Sequence, residues 1–391
     1  MRKYSIKKWT SLFFVVTVLI SSPGQGQLEM IQQPDGKKIS LSSIDSLVKT
    51  EMDKGVVTGL CIGILNDNKP ANIKAYGYRN KEEKILNDTA TCFYAASLAK
   101  PLFAYIVMQL VDEKLIDLDK PLYNYLPKPL PEYDDYKDLE GDERWKLITA
   151  RSCLDHTTGF PNWRWANPHG NQKLEIFFTP GERYAYSGEG LVLLQMVVEI
   201  ITGKPLDELA QEKFFKPFGM YRTSFLWQTS FENDFAYGYD ANGNVLKKKK
   251  RTQSNAAGSL ETTIADYTRF VAAIMQGANI SKKSKDEMFT PQIKIYTKHQ
   301  FPSLNNDKTK KNEKIELAYG LGWGLFKTPF GQAFFKEGHD DGWTHYMISI
   351  PEKGIAFIIM TNSSNGERIF YELVERIMQV TIPWEWEGYK E

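Results

Sequence analysis

Cysteine is scarce: the 391 residues hold three, at positions 61, 92 and 153. They form no C-x-x-C pair and no metal-ligand spacing, so neither a dithiol redox centre nor a cysteine zinc site is indicated. An odd number leaves at least one thiol free. All three have apolar neighbours, as in the run GLCIGIL around Cys61, and read as small buried hydrophobes; their positions leave one bridge open. The five histidines include no H-E-x-x-H, so a metal hydrolase has no support, and no metal or organic cofactor is implied. Excess charge is missing too. Forty-nine basic against 48 acidic side chains give a net charge of +1, which provides no field for nucleic acid or an anionic membrane.

A long hydrophobic run is also missing. The strongest, WTSLFFVVTVLI at 9–20, is about a dozen residues, short of the roughly 20 a membrane span needs. Basic MRKYSIKK precedes it and small, polar SSPGQGQ follows, the three-part pattern of a secretory signal peptide over residues 1–26. An uncleaved anchor is the alternative, and no cysteine follows that would mark a lipoprotein. The expectation is an exported protein, periplasmic or secreted, with no membrane span after signal removal.

What is present is an ordinary soluble balance, 42% hydrophobic and 25% charged. Residues 27–37 read as loose, and 39–54 as an amphipathic helix ending before Gly55. Residues 58–65 and 71–78 read as a hairpin around NDNKP. Helical patterns fill 97–116, 189–202, 205–216 and 262–276. The Pro-rich acidic stretch 127–146, the basic run KKKKR at 247–251 and the polar stretch 296–315 read as exposed loops. Strand patterns return at 319–327, 332–337, 344–350 and 355–361, and a last amphipathic helix runs from about 366 to 380. The fold class is therefore α/β (α+β): one antiparallel sheet formed by both chain ends, 38–90 and 315–391, with flanking helices and an inserted, mostly helical region, 91–314.

The chemistry centres on Ser97-Leu98-Ala99-Lys100. Residues three apart share a helix face, so the amine stands beside the hydroxyl and, when neutral, can take its proton. Apolar neighbours on both sides would lower the amine's pKa. Pro101 sits where a first helical turn tolerates its missing N–H, which starts the helix near Ser97 and aims N–H groups at the nucleophile. Spacing alone does not single out this pair, since Ser5/Lys8 and Ser46/Lys49 share it.

The stretch TCFYAASLAKPLFAYIVMQLVDE resembles the nucleophile helix of the serine β-lactamase and penicillin-binding superfamily. The branch it resembles holds class C β-lactamases, D-alanyl-D-alanine carboxypeptidases, D-aminopeptidases, esterases and transacylases. ITARSCLDHTTGFPNW, TPGERYAYSGEGLVLLQMVVEIITGKPL, FFKPFGMYRTSF, AAGSLETTIADYTRFVAAIMQG, YGLGWGLF and KEGHDDGWTHYMISIPEKGIAFIIMTN are similar to later family segments, in family order. The resemblance covers roughly 40–380 and implies the β-lactamase/transpeptidase-like fold. It makes Ser97 the acylated serine, Lys100 its lysine and Tyr186 the proton-shuttling phenol of the second motif. It makes His339 the residue opening the third motif, where it would orient a substrate carboxylate or tune Tyr186. It makes the N–H groups of Ser97 and, by offset, Gly342 the oxyanion hole. His156 matches a position with a structural role, and Glu189 reads as a cap or surface residue rather than a deacylating base. Two departures stand out. Gly188 replaces the asparagine that binds an acyl-side amide, and Asp341 replaces the glycine two residues after the third-motif opener. With Asp340 it adds negative charge. Both count against a β-lactam or D-Ala-D-Ala substrate.

The implied activity is a serine acyl hydrolase working through a Ser97 acyl-enzyme on another ester or amide. The rival readings are acyl transfer to an alcohol or amine, a carboxypeptidase or β-lactamase, and a non-catalytic binding module. The partner is a small or peptide-like acyl substrate; Trp163, Trp165, Trp343 and Tyr346 near the expected cleft suit a ring-bearing acceptor or plain core packing.

Overall fold

The apolar runs at the two ends of the chain meet in one sheet. The computed structural model describes residues 30–381 and 383–389, so the signal peptide expected over 1–26 lies outside the described residues. The chain enters through a small hairpin, β1 (Met30–Gln32) and β2 (Lys38–Ser40), where a loose segment was expected. The Ser40 hydroxyl accepts from the Ser43 N–H and starts α1 (Leu41–Gly55). Next come β3 (Gly59–Asn66), β4 (Lys69–Asn80) and the short β5 (Ile85–Leu86). A two-stranded pair, β6 (Phe93–Tyr94) with β7 (Glu261–Thr262), brackets the helical insertion.

That insertion holds α2 (Ala99–Asp112), α3 (Ala150–Leu154), α4 (Gly188–Thr202), α5 (Leu206–Ala210), α6 (Ile264–Gln276) and α7 (Lys282–Met288). Every residue of α2 from Ala99 to Leu110 is buried, as its all-round apolar sequence requires. The chain returns through β8 (Ile293–Lys294), β9 (Ala318–Tyr319), β10 (Gly324–Thr328), β11 (Gly331–Asp340), β12 (Trp343–Ile350) and β13 (Ile355–Thr361). It closes with α8 (Glu367–Met378) and α9 (Trp384–Glu387).

Nine strands form one antiparallel sheet in the order β5-β4-β3-β13-β12-β11-β10-β9-β8. The last strand thus lies in the middle, paired to β3 from the other end of the chain (Ile359 opposite Ile62). Every residue of β12 and β13 is buried because both sheet faces are covered. Ile44 and Val48 of α1 and Ile369, Phe370 and Leu373 of α8 pack on one face; α2 and α6 pack on the other.

The three stretches expected as surface loops are mostly exposed, and each is pinned to the body by a few side chains. Residues 122–147 contain four short 3-10 segments that bury Leu130, Tyr136, Leu139 and Trp145. In the basic run, Lys248 is buried against Glu261 at 2.7 Å among the rings of Trp227, Phe235 and Trp343. Residues 297–303 dock on α9, with the Gln300 N–H on the Trp386 carbonyl at 2.8 Å. Composition reads most of each segment as solvated, which it is; a few large side chains and paired charges supply the anchors. The strand expected over 319–327 is two short strands around a turn in which the Gly320 N–H donates to the Trp323 carbonyl. All three cysteines are buried thiols, and burial holds each pKa well above its usual value.

Candidate active site

Ser97 sits in a single 3-10 turn, Ala96–Leu98, that runs directly into α2. Ala96 adopts φ 47°, an uncommon conformation for a residue with a side chain and a local strain held by the packing around it. The turn is stapled to the sheet by His345, whose Nε2–H donates to the Tyr94 carbonyl at 2.8 Å while its Nδ1 accepts the Thr361 N–H at 3.2 Å. A carbonyl on one side and an amide on the other fix a neutral ring, and burial pushes its pKa down to about 4.

Lys100, one turn on, is 2% exposed. Its Nζ lies 2.9 Å from Ser97 Oγ and donates to the Ala257 carbonyl at 2.6 Å. Burial, and then the charge of Lys336, hold its pKa well below the usual lysine value. Tyr186 comes from the segment before α4 and is buried beside Ser97. Burial, and then Glu337, raise its pKa. Lys100 and Lys336 each place Nζ 4.9 Å from the centre of its ring, and His156 stacks on it at 4.3 Å. His156 accepts the Ser187 N–H and is kept neutral by burial and by the two lysines, in a structural position.

Lys336 was not singled out by the sequence, and it corrects the reading of the third motif. It is fully buried on β11; its Nζ donates to the Glu337 carboxylate at 2.8 Å, and Gln300 donates to the same carboxylate oxygen at 2.8 Å. His339, expected in this role, is exposed and paired with Glu367 at the start of α8, which raises its pKa. The motif is therefore Lys336-Glu337-Gly338. The glycine two residues after the opener is present, and it was the available signal. A Cβ at Gly338 would lie 2.9 Å from the Ala95 carbonyl, so only glycine lets the strand touch the nucleophile turn. Asp341 is not a substitute for that glycine. It sits in the two-residue turn between Asp340 and Trp343, and Asp340 faces Arg251 at 3.7 Å.

The oxyanion donor moves with the motif. Gly342, at φ 80°, spends its N–H on Ser364 Oγ at 2.8 Å and backs onto Gly238, away from the cleft. Asp340 and Trp343 flank the two-residue turn and so exchange both hydrogen bonds; Gly338 and His345 form the next such pair. The N–H of His339 therefore points to the other edge of β11. There β10 stops at Gly324, opposite Phe335, which leaves the edge beyond it open. The Ser97 N–H, like that edge, has no acceptor among the described residues. The N–H groups of Ser97 and His339 are thus two backbone donors without an acceptor among the described residues, an arrangement chemically suited to a developing oxyanion.

The open edge borders a cleft of about 930 Å³ lined by Ser97, Lys100, Tyr186, Asn162, Trp163, Trp165, Arg251 and Asp340, and the side chains expected there at His339 and Asp341 line it too. Trp343 and Tyr346 are buried and do not line it. The six-membered edge of Trp163 lies over Gly188, where a Cβ would approach it to 2.7 Å. Glu189, expected as a cap or surface residue, is buried and locked by Arg164 at 2.8 Å, and it does not line the cleft.

The sequence profile of the family described as beta-lactamase matches residues 44–381. A penicillin-binding protein of Bacillus subtilis is 26% identical over 304 residues, which cover 70% of this chain and 60% of that protein. The chain thus spans about three fifths of that relative's length. A beta-lactamase of Providencia stuartii is 21% identical over 370 residues, 87% of this chain and 92% of the other. The solved structure of a penicillin-binding protein homologue from Pyrococcus abyssi shares the fold with a TM-score of 0.69 at 22% identity, over 90% of this chain and 80% of that one.

Proposed function

This chain belongs to the beta-lactamase family, and from that premise we propose that it is an exported serine acyl hydrolase acting through a Ser97 acyl-enzyme on an ester or amide other than a classical β-lactam. The observation that carries the chemistry is a lysine whose positive charge is disfavoured by burial, 2.9 Å from a serine hydroxyl. Neutral Lys100 accepts the Ser97 proton as Oγ attacks the acyl carbon. The Ser97 and His339 N–H groups hold the oxyanion. Tyr186, between two amines, relays a proton to the leaving group and, in the second half, takes one from the attacking water. Lys336 favours the phenolate that such a relay forms in passing. Gly188, which carries no side-chain amide and is covered by Trp163, supports a substrate unlike a β-lactam. Export rests on the sequence of residues 1–26 alone.

Intact-mass spectrometry after a fluorophosphonate tests the nucleophile. Wild type gains one adduct and Ser97→Ala gains none; equal labelling of the two removes Ser97 from the mechanism. A screen of short esters, D-amino-acid amides and nitrocefin tests the substrate class, and nitrocefin as the best substrate would overturn it. The cleft, about 930 Å³, has room for an acceptor other than water, and products formed with an added alcohol would reveal transfer.

A further inference from the structure

Five carboxylates line the cleft around the open edge of β11: Glu337, Asp340, Asp341, Glu367 and Glu387. Asp341 is exposed to water. Three of the others have a cation of their own. Lys336 donates to Glu337 at 2.8 Å, His339 pairs with Glu367, and Arg251 faces Asp340 at 3.7 Å. Glu387 is the exception. It is 7% exposed, and no lysine, arginine or histidine among the described residues forms an ion pair with it. Its Oε1 accepts the Tyr346 O–H at 3.0 Å, while its Oε2 has no hydrogen-bond partner among the described residues. Burial, and then the charge of Glu337, push its pKa up, as befits a carboxyl group supplied with too little positive charge.

A buried acidic group without a counter-charge costs stability, yet the fold holds this one firmly. Glu387 ends α9, where the neighbouring Trp386 ring N–H donates to Thr297 Oγ1 at 3.1 Å and the Trp386 carbonyl accepts the Gln300 N–H at 2.8 Å. The rings of Phe301 and Tyr389 line the same cleft, and aromatic faces suit a cation. No group of three ligating side chains among the described residues could hold a metal ion, which leaves an organic cation. Lys336 ties this corner to the chemistry. Its Nζ reaches Glu337 at 2.8 Å and stands 4.9 Å from the centre of the Tyr186 ring, the phenol that serves the leaving group. We propose that Glu387 anchors a leaving-group subsite that takes a protonated amine, so that the preferred esters and amides release an amino alcohol or a diamine. The inference deepens the acyl-hydrolase reading and rests on it for the side of the cleft on which the leaving group lies.

Glu387→Gln is the discriminating variant, because it keeps an oxygen for the Tyr346 O–H and removes the charge. Two acetate esters of equal shape serve as substrates at pH 7: (dimethylamino)butyl acetate, whose nitrogen is protonated, and its isostere with CH in place of that nitrogen. Wild type should prefer the amine ester in kcat/KM, and the preference is expected to fall about tenfold or more in Glu387→Gln. Equal kcat/KM values in wild type, or a ratio unchanged in the variant, overturn the proposal; an equal loss on both esters makes Glu387 a structural anchor of α9. A second arm does not depend on turnover. In Ser97→Ala the amine ester should bind more tightly than its isostere by calorimetry, and adding Glu387→Gln should erase the difference; no difference to erase also overturns the proposal. If wild type turns over neither ester while the binding difference appears, the acyl-enzyme reading fails and the amine site stands.

Discussion

Lys336 and His339 stand three residues apart on one strand and have different surroundings, which separates their roles by substitution. Lys336→Ala removes a cation from beside Tyr186 and is expected to lower kcat/KM about 100-fold. His339→Ala keeps its backbone N–H and should cost no more than about threefold, measured on the same ester. The charge of Lys336 also holds the Lys100 pKa down, so Lys336→Met should move the acidic limb of the kcat/KM profile to higher pH. Gly188→Asn supplies an amide but drives its Cβ to within 2.7 Å of the Trp163 ring, and should destabilise by about 1–3 kcal/mol in thermal unfolding. At this scale the sequence was a good guide where chemistry and spacing are local. Ser97, Lys100 and Tyr186 meet as their motifs suggest. Lys336 was hidden because it borders an equally plausible histidine, and which of the two faces inward is a property of the strand.

Strand β11 works through its alternation. Two hairpins, one on each side, assign the N–H groups of Lys336, Gly338 and Asp340 to β12 and leave those of Glu337 and His339 on the open edge. A one-residue register shift would exchange the two sets; the offset counted along the sequence pointed to Gly342 because it started from His339 rather than Lys336. The neighbouring strand carries the staple. His345 is neutral when folded and, with a folded pKa of about 4, refuses a proton that the unfolded chain accepts below about pH 6.5. Its contribution is therefore fully present above pH 6.5 and lost as pH falls towards 4. Asp155, pushed up to about 7 by burial, acts in the opposite sense, so the comparison must be between variants. His345→Gln should unfold at a lower temperature than wild type at pH 7.5, and its Tm should fall less steeply between pH 7 and 4.5.

The whole molecule is closed by its own ends, and the periodicity of the terminal strands was enough to anticipate that. The connections were harder to read: few large apolar side chains anchor 127–146 and 296–315, and no run of them is long enough to signal burial. The last helix matters for the same reason. α9 holds the 297–303 loop through Trp386, and that loop holds Glu337 through Gln300. A chain ending at Gln379 should still fold, yet be cut first within 297–303 by limited proteolysis and lose most of its activity.

The central place of β13 also sets a clock on biosynthesis. Strand β3 leaves the ribosome with one edge satisfied by β4, and its other partner begins only at Ile355. At 5–20 residues per second the wait is on the order of tens of seconds. Until then the apolar edge of Leu60–Leu65 is a sticky surface with no native mate, so a premature stop codon anywhere before Ile355 should yield an aggregating fragment rather than a smaller enzyme.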